Sequence, residues 1–153
     1  MMDGKEHTVT FAWAQLTDLP AVLSLLSACS LPAEGADAVI PTMLVAREGK
    51  RLIGCAGLEV YGMVALLRSV ALYPAYRDQQ LGQHLVQAML AHAKQLGLLE
   101  VYLLTETASN YFPRFGFRMI NRAAVAPAIQ LSVEWTRACP VSAQAMVLHL
   151  DAV

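Results

Sequence analysis

The spacing of apolar positions changes along this chain, and each change marks an element. Residues 8–13, Thr-Val-Thr-Phe-Ala-Trp, read as a first strand. Thr17 is placed to cap a helix with Pro20 in its first turn. Leu19, Val22, Leu23 and Leu26 then recur on one helical face. Leu31 to Val39 mixes Pro, Gly, Glu and Asp and reads as a loop with room for a short helix. Three strands follow, Thr42 to Arg47, Leu52 to Val60 and Met63 to Leu72, joined by turns at Glu48-Gly49-Lys50 and Tyr61-Gly62. They predict an antiparallel meander.

From Leu81 the period becomes helical. Leu81, Leu85, Met89 and Ala93 form one stripe, with Val86, Leu90 and Leu96 beside it. Gln83, Gln87 and Lys94 mark the wet side, and Gly97 stops the helix. Val101 to Thr105 is nearly continuous in apolar residues, as a buried central strand is. Asn110 to Phe115 suits a short helix closed by Gly116. Phe117 to Asn121 and Ala145 to Leu150 predict two last strands, and the stretch from Ala124 to Cys139 between them is irregular or partly helical. The order is β-α-βββ-α-β-α-β-β, an α/β (α+β) sheet with helices on its faces.

A length of 153 residues predicts one domain over 1–153. Apolar residues make up 56% of the chain, above the usual range of roughly 45–50%. That excess points to a subunit interface, with the Ala-Val-Ala-Pro-Ala-Ile run inside Ala123 to Trp135 as its candidate and a homodimer as the expectation. A net charge of −1 argues against a nucleic-acid partner, which needs a cationic footprint. No apolar run reaches the roughly 18 residues of a membrane span. Met1 to Thr10 is polar and mixed in charge, so a secretory signal is not expected. Cys29, Cys55 and Cys139 are far apart and lack CxxC spacing, so neither a metal site nor a disulfide frame is expected. Reduced thiols suit the cytoplasm.

The candidate chemistry lies between Leu66 and Phe117. A strand ends at Leu72, and Tyr73-Pro74-Ala75-Tyr76-Arg77-Asp78-Gln79-Gln80-Leu81-Gly82 leads into the long helix. A tight loop entering a helix presents unpaired N–H groups to an anion. Arg77 adds a charge there, or is an ordinary solvated side chain. Glu59 and Arg68 interrupt two apolar strands and pair across the turn. That pair either stabilises the sheet or meets an acceptor. His84 and His92 are expected on the exposed side of the helix, Arg122 in solvent, and Cys139 in inert packing.

Arg77-Asp78-Gln79-Gln80-Leu81-Gly82, followed by Tyr111-Phe112-Pro113-Arg114-Phe115-Gly116-Phe117, resembles the GNAT (GCN5-related) N-acetyltransferases. The resemblance implies a mixed six- to seven-stranded sheet and acetyl-CoA as cosubstrate. It implies cofactor contacts from Arg77, Asp78, Gln79, Gln80, Leu81, Gly82 and Gln83, from the main chain at Val70 and Leu72, and from Asn110, whose alternative role is to cap its helix. Gln80 stands where the family has a glycine, and a helical backbone there would turn its side chain away. Phe112 stands where many members carry the tyrosine that protonates the departing thiolate. Tyr111 is adjacent but points about 100° away on a helix. Leu58 to Gly62, Leu66 to Val70, Leu103 to Thr105 and Cys139 to Ala143 are similar to acetyltransferases associated with arsenic resistance, and through them to amino-acid N-acetyltransferases. This implies an amine acceptor that is amino-acid-like or an organoarsenical, with Arg68 on its acidic group and Glu59 taking the amine proton. The same departures at Gln80 and Phe112 also fit a poorly catalytic domain that binds coenzyme A or an amino acid as a sensor.

Overall fold

The computed structural model describes residues 8–138 and 142–150. Seven strands are hydrogen-bonded in the order β1-β2-β3-β4-β5-β7-β6. They are β1 Val9–Trp13, β2 Met43–Glu48, β3 Arg51–Tyr61, β4 Val64–Leu72, β5 Glu100–Thr105, β6 Arg118–Ile120 and β7 Gln144–His149. The two α-helices are α1 Leu19–Ala28 and α2 Leu81–Gln95. The mixed α/β sheet agrees with the predicted element order, except that the short helix expected at Asn110 to Phe115 is a 3-10 turn, Phe112–Phe115. None of the described helices is long and apolar enough to cross a membrane.

The chain forms two compact units, one up to Gly57 together with Ser69–Val86, the other Leu58–Arg68 together with the residues from Gln87 onward. In the first unit β1 and β2 pair antiparallel, Val9 opposite Glu48 through Trp13 opposite Leu44. β2 and β3 continue antiparallel from Met43 opposite Gly57 to Glu48 opposite Arg51. Val22, Leu25 and Leu26 of α1 bury against Met43, Val45, Cys55 and Ala71. Leu25, not Leu23, completes the inner face, and Leu23 is exposed. The predicted cap is also displaced. Thr17 lies inside a 3-10 turn, Leu16–Asp18, whose cap is Gln15, and Asp18 is the residue that precedes α1. The Asp18 carboxylate accepts from the Gln15 N–H and pairs with Arg47. A one-residue shift of this kind arises when a 3-10 turn tightens the helix entry, because that turn satisfies N–H groups that a cap would otherwise serve.

In the second unit β4 and β5 run parallel, with Val64 opposite Glu100 through Leu66 opposite Tyr102. β7 pairs antiparallel with β5 over its full length and with β6 at Arg118–Ile120. Leu66, Tyr102, Ala145 and Val147 make a core into which Val125 and Ile129 insert from the irregular segment. Of the apolar run expected at a subunit interface, Val125 and Ile129 are thus buried inside the chain, while Ala124 and Pro127 are exposed and Leu131 is 79% exposed. Gly97 ends the helix region at φ +78, as its position predicts.

Candidate active site

In the first unit the strand-to-helix connection has three parts. β4 ends at Leu72, Pro74–Gln79 form a 3-10 turn, and Gln80 alone turns left-handed at φ +60, ψ 16 before α2 begins. The expected helical backbone at Gln80 is thus corrected: the residue holds the conformation that the family's glycine would favour. Its side chain is exposed. The Gln80 carbonyl accepts from the His84 N–H at 3.1 Å, the first turn of α2. The N–H groups of Leu81, Gly82 and Gln83 precede that bond and are donors an α-helix does not use internally. Of Asp78 and Gln79 the backbone is described and the side chains lie outside the described residues.

Arg77 is exposed but tethered. Its Nε donates to the Leu72 carbonyl at 3.1 Å, and its terminal nitrogen lies 3.4 Å from Cys29 Sγ. The Cys29 thiol donates to the same carbonyl at 3.2 Å. The guanidinium is in this way fixed to the strand end rather than solvated at random. Just before it, Ser69 interrupts β4 at φ +58, the mark of a bulge, and its carbonyl accepts from the Cys55 thiol at 3.1 Å. Val70 and Leu72 lie directly after this kink.

The second unit holds a buried polar cluster. Arg68 NH1 donates to Glu59 Oε2 at 2.7 Å, and the Arg68 side chain has no exposed surface. Tyr61 Oη donates to Glu59 Oε1 at 2.7 Å. Burial pushes the Glu59 pKa up, but hydrogen bonds from Ser132, Arg68 and Tyr61 outweigh it and hold the carboxyl below its ordinary value. Burial and the Glu59 carboxylate push the Tyr61 phenol up to about 12. Two members were not foreseen from sequence, Ser132 and Glu134. Both are buried polar residues, and Glu134 Oε1 stands 3.7 Å from Arg68 Nε. The available signal was Ser-x-Glu inside an otherwise apolar stretch.

The remaining candidates divide. Asn110 is exposed, and the cap of the 3-10 turn Phe112–Phe115 is Tyr111 with no side-chain bond, so Asn110 does not cap it. Phe112 is buried edge-on to Tyr111 at 5.3 Å and to Phe117 at 5.8 Å. Burial pushes the Tyr111 phenol's pKa up, with Arg114 opposing, and Arg114 lies over its ring at 4.3 Å. Arg122, expected in solvent, is half-buried; it donates to the Ala143 carbonyl at 3.1 Å and stacks on Trp135 at 4.3 Å. His84 is exposed and stacked on Phe11 at 4.0 Å, while His92 is half-buried. Cys139 lies outside the described residues. Among the described residues no group of three or more His, Cys, Asp or Glu is placed to hold a metal.

The fourth strand is kinked and runs through a tight left-handed turn into a long helix, an arrangement suited to holding a phosphate group. Residues 13–117, well over half of the chain, match the model of the acetyltransferase (GNAT) family, and the chain belongs to that family. Similar to the chain is an amino-acid acetyltransferase of Pasteurella multocida, 29% identical over 132 residues, 77% of this chain and 29% of the relative. Another, from Vibrio cholerae, is 33% identical over 76 residues, 48% of this chain and 17% of the relative. The chain thus spans less than a third of the length of these relatives. Its fold matches N-acetylglutamate synthase of Neisseria gonorrhoeae, solved with coenzyme A and N-acetyl-glutamate, at TM-score 0.79 and 18% identity over 96% of this chain and 36% of that one. A Mycobacterium tuberculosis protein solved with CoA has TM-score 0.78 and 22% identity, covering 93% of this chain and 99% of its own.

Proposed function

We propose that this chain is a single acetyltransferase domain that moves the acetyl group of acetyl-CoA to the amine of a small amino-acid-like molecule. The amine nitrogen attacks the thioester carbonyl directly. The carbon–sulfur bond breaks, coenzyme A leaves as its thiol, and no enzyme-bound acyl group forms. The observation that carries the reading is the tethered Arg77 beside the N-terminus of α2. A guanidinium and a row of helix N–H groups suit a pyrophosphate. In this reading Arg77 and the 78–83 backbone bind the cofactor, and Val70 and Leu72 offer main-chain groups to the acetyl arm.

At the acceptor end Glu59 is the group that meets substrate. It is held ionised by Arg68, Ser132 and Tyr61, which suits it to attract an ammonium and relay its proton to water. Arg68, wholly buried, serves as its counter-charge; direct contact with an acceptor carboxylate is the lesser role. The amino-acid class rests on relatives named amino-acid acetyltransferases. Aminoalkyl arsenicals fall within the same amine class. A homodimer, and a reducing cytoplasm in which Cys29 and Cys55 stay thiols, belong to the same reading.

The test is free-thiol release from acetyl-CoA with glutamate, other α-amino acids, and aminoalkyl arsenicals and phosphinates. Turnover restricted to such amines is expected. Tight acetyl-CoA binding without turnover of any of them would favour the sensor reading, which Phe112 in the proton donor's place supports. Calorimetry showing no acetyl-CoA binding would remove both.

A further inference from the structure

We propose that Glu134 is a positioning residue for the acceptor end, acting through the shared Arg68 guanidinium to set how firmly Glu59 is held. The inference deepens the reading of Glu59 above and rests on it. Its basis is geometric. The Arg68 side chain is fully buried between two carboxylates from distant segments, Glu59 at 2.7 Å and Glu134 at 3.7 Å. The second distance is longer than a hydrogen bond. One guanidinium neutralises one carboxylate, so with both ionised the cluster carries an uncompensated negative charge out of reach of water.

The segment that supplies Glu134 is built to hold it there. Ser132 Oγ accepts from the Glu134 N–H at 3.1 Å. The Ser132 carbonyl accepts from the Thr136 N–H at 3.0 Å and from its hydroxyl at 3.1 Å. Glu134 then opens a π-helical turn, Glu134–Ala138, a wide turn that occurs frequently at functional sites. The same Ser132 hydroxyl bonds the Glu59 carboxylate. One short stretch therefore sets a hydroxyl on Glu59 and a carboxyl against the arginine that Glu59 uses.

The charged groups facing Glu134 are Arg68 from β4 and Glu59 from β3. Tyr61, also on β3, bonds Glu59. Arg122 lies over the ring of Trp135, the next residue. Burial pushes the Glu134 carboxyl up to about 7, with Arg68 opposing and Glu59 adding to the rise. Near neutral pH the cluster thus has two states. With Glu134 protonated, Glu59 is the one ionised carboxylate of this pair that Arg68 faces. With Glu134 ionised, Arg68 is shared and Glu59 is held less firmly.

The experiment pairs two readouts on the full chain, wild type and Glu134→Gln. One is a carboxyl NMR titration with ¹³C-labelled glutamate. The other is kcat/KM for an accepted amine against pH. In wild type, one glutamate is expected to titrate near pH 7, with a mirrored shift of a second at the same pH. Glu134→Gln should abolish both signals and the near-neutral inflection in acceptor kcat/KM, while the acetyl-CoA KM stays within about twofold. Persistence of that inflection in a folded Glu134→Gln, or a wild-type titration with no coupled second carboxyl, overturns the proposal. Should Glu134→Gln fail to fold, the wild-type titration decides alone, and Glu134→Asp must move its midpoint. The NMR arm needs no substrate, so a chain that acetylates no amine would refute the proposed function while the Glu59–Glu134 coupling is still judged.

Discussion

Gln80 is a long side chain in the left-handed region, at φ +60. For an L-residue other than glycine that conformation costs roughly 1–2 kcal/mol. Gln80→Gly relieves the strain but loosens the unfolded chain, so a gain of about 0.5 kcal/mol in unfolding free energy is expected by denaturant titration. Gln80→Val adds a β-branched clash and should lose about 1–2 kcal/mol. Equal stability of all three would mean that the turn is not left-handed in solution. Phe112 makes a second residue-scale case. A coenzyme A thiol behaving like a cysteine thiol, with a pKa of about 8.5, leaves without full protonation. General acid help is then worth about 10²-fold, the low end for such catalysis. Phe112→Tyr should change kcat by less than about tenfold, measured by thiol release, and Tyr111→Phe should not abolish turnover. A thousandfold loss in Tyr111→Phe with acetyl-CoA binding intact would make Tyr111 the proton donor. In the sequence, Phe112 was legible as a departure from a motif. The left-handed angle at Gln80 was not, because a glutamine in a loop gives no sign of positive φ.

The β3–β4 element depends on Gly54. A Cβ built there falls 2.6 Å from Leu72 Cδ2 and 3.2 Å from the Ala71 carbonyl. The first contact is a flexible methyl that can move; the second is backbone that cannot. Gly54→Val should therefore cost about 1–3 kcal/mol through overpacking. It should also weaken acetyl-CoA binding, because it pushes on the strand end that tethers Arg77 through the Leu72 carbonyl. Thermal melts and calorimetry on that variant check both effects; a wild-type melt would show that β4 shifts freely. At this scale, periodicity located the strands and the stripe of Leu85, Met89 and Ala93, all buried as expected. It misjudged α1, where Leu25 replaces Leu23 inside: both fit helical spacing, Leu23 from Leu19 and Leu25 from Val22, and the face that meets the core carries Val22, Leu25, Leu26 and Cys29. Glu134 was hidden in an irregular segment, where no period tells an inward carboxylate from an outward one.

For the whole molecule, two kinds of carboxyl set the pH dependence of stability in opposite directions. Asp18 is held below its ordinary value, chiefly by its hydrogen bond from Arg47, and Glu59 is held low by its three donors despite burial. Their contributions are present above the unfolded values of 3.8 and 4.5 and are lost as pH falls through the lowered ones. Glu134 is raised from 4.5 to about 7, so the folded state binds the proton more tightly than the unfolded chain. Its contribution is whole below 4.5 and is lost as pH rises toward 7, by at most about 3 kcal/mol at 1.36 kcal/mol per unit. Stability should therefore peak on the mildly acidic side and be lower at pH 8 than at pH 5. Denaturant midpoints across that range check this, and Glu134→Gln should flatten the fall.

The sequence by itself determined the order of elements, the strand–loop–helix with Arg77, and the pairing of Glu59 with Arg68. These follow from local period, chain direction and a single short turn. Only the tertiary structure decided which groups share the buried guanidinium, that Val125 and Ile129 are core, and that Arg122 lies on Trp135. Those facts depend on how an irregular segment folds back onto β3 and β4. Segments far apart along the chain meet there because apolar residues must leave water, and that drive has no direction along the sequence.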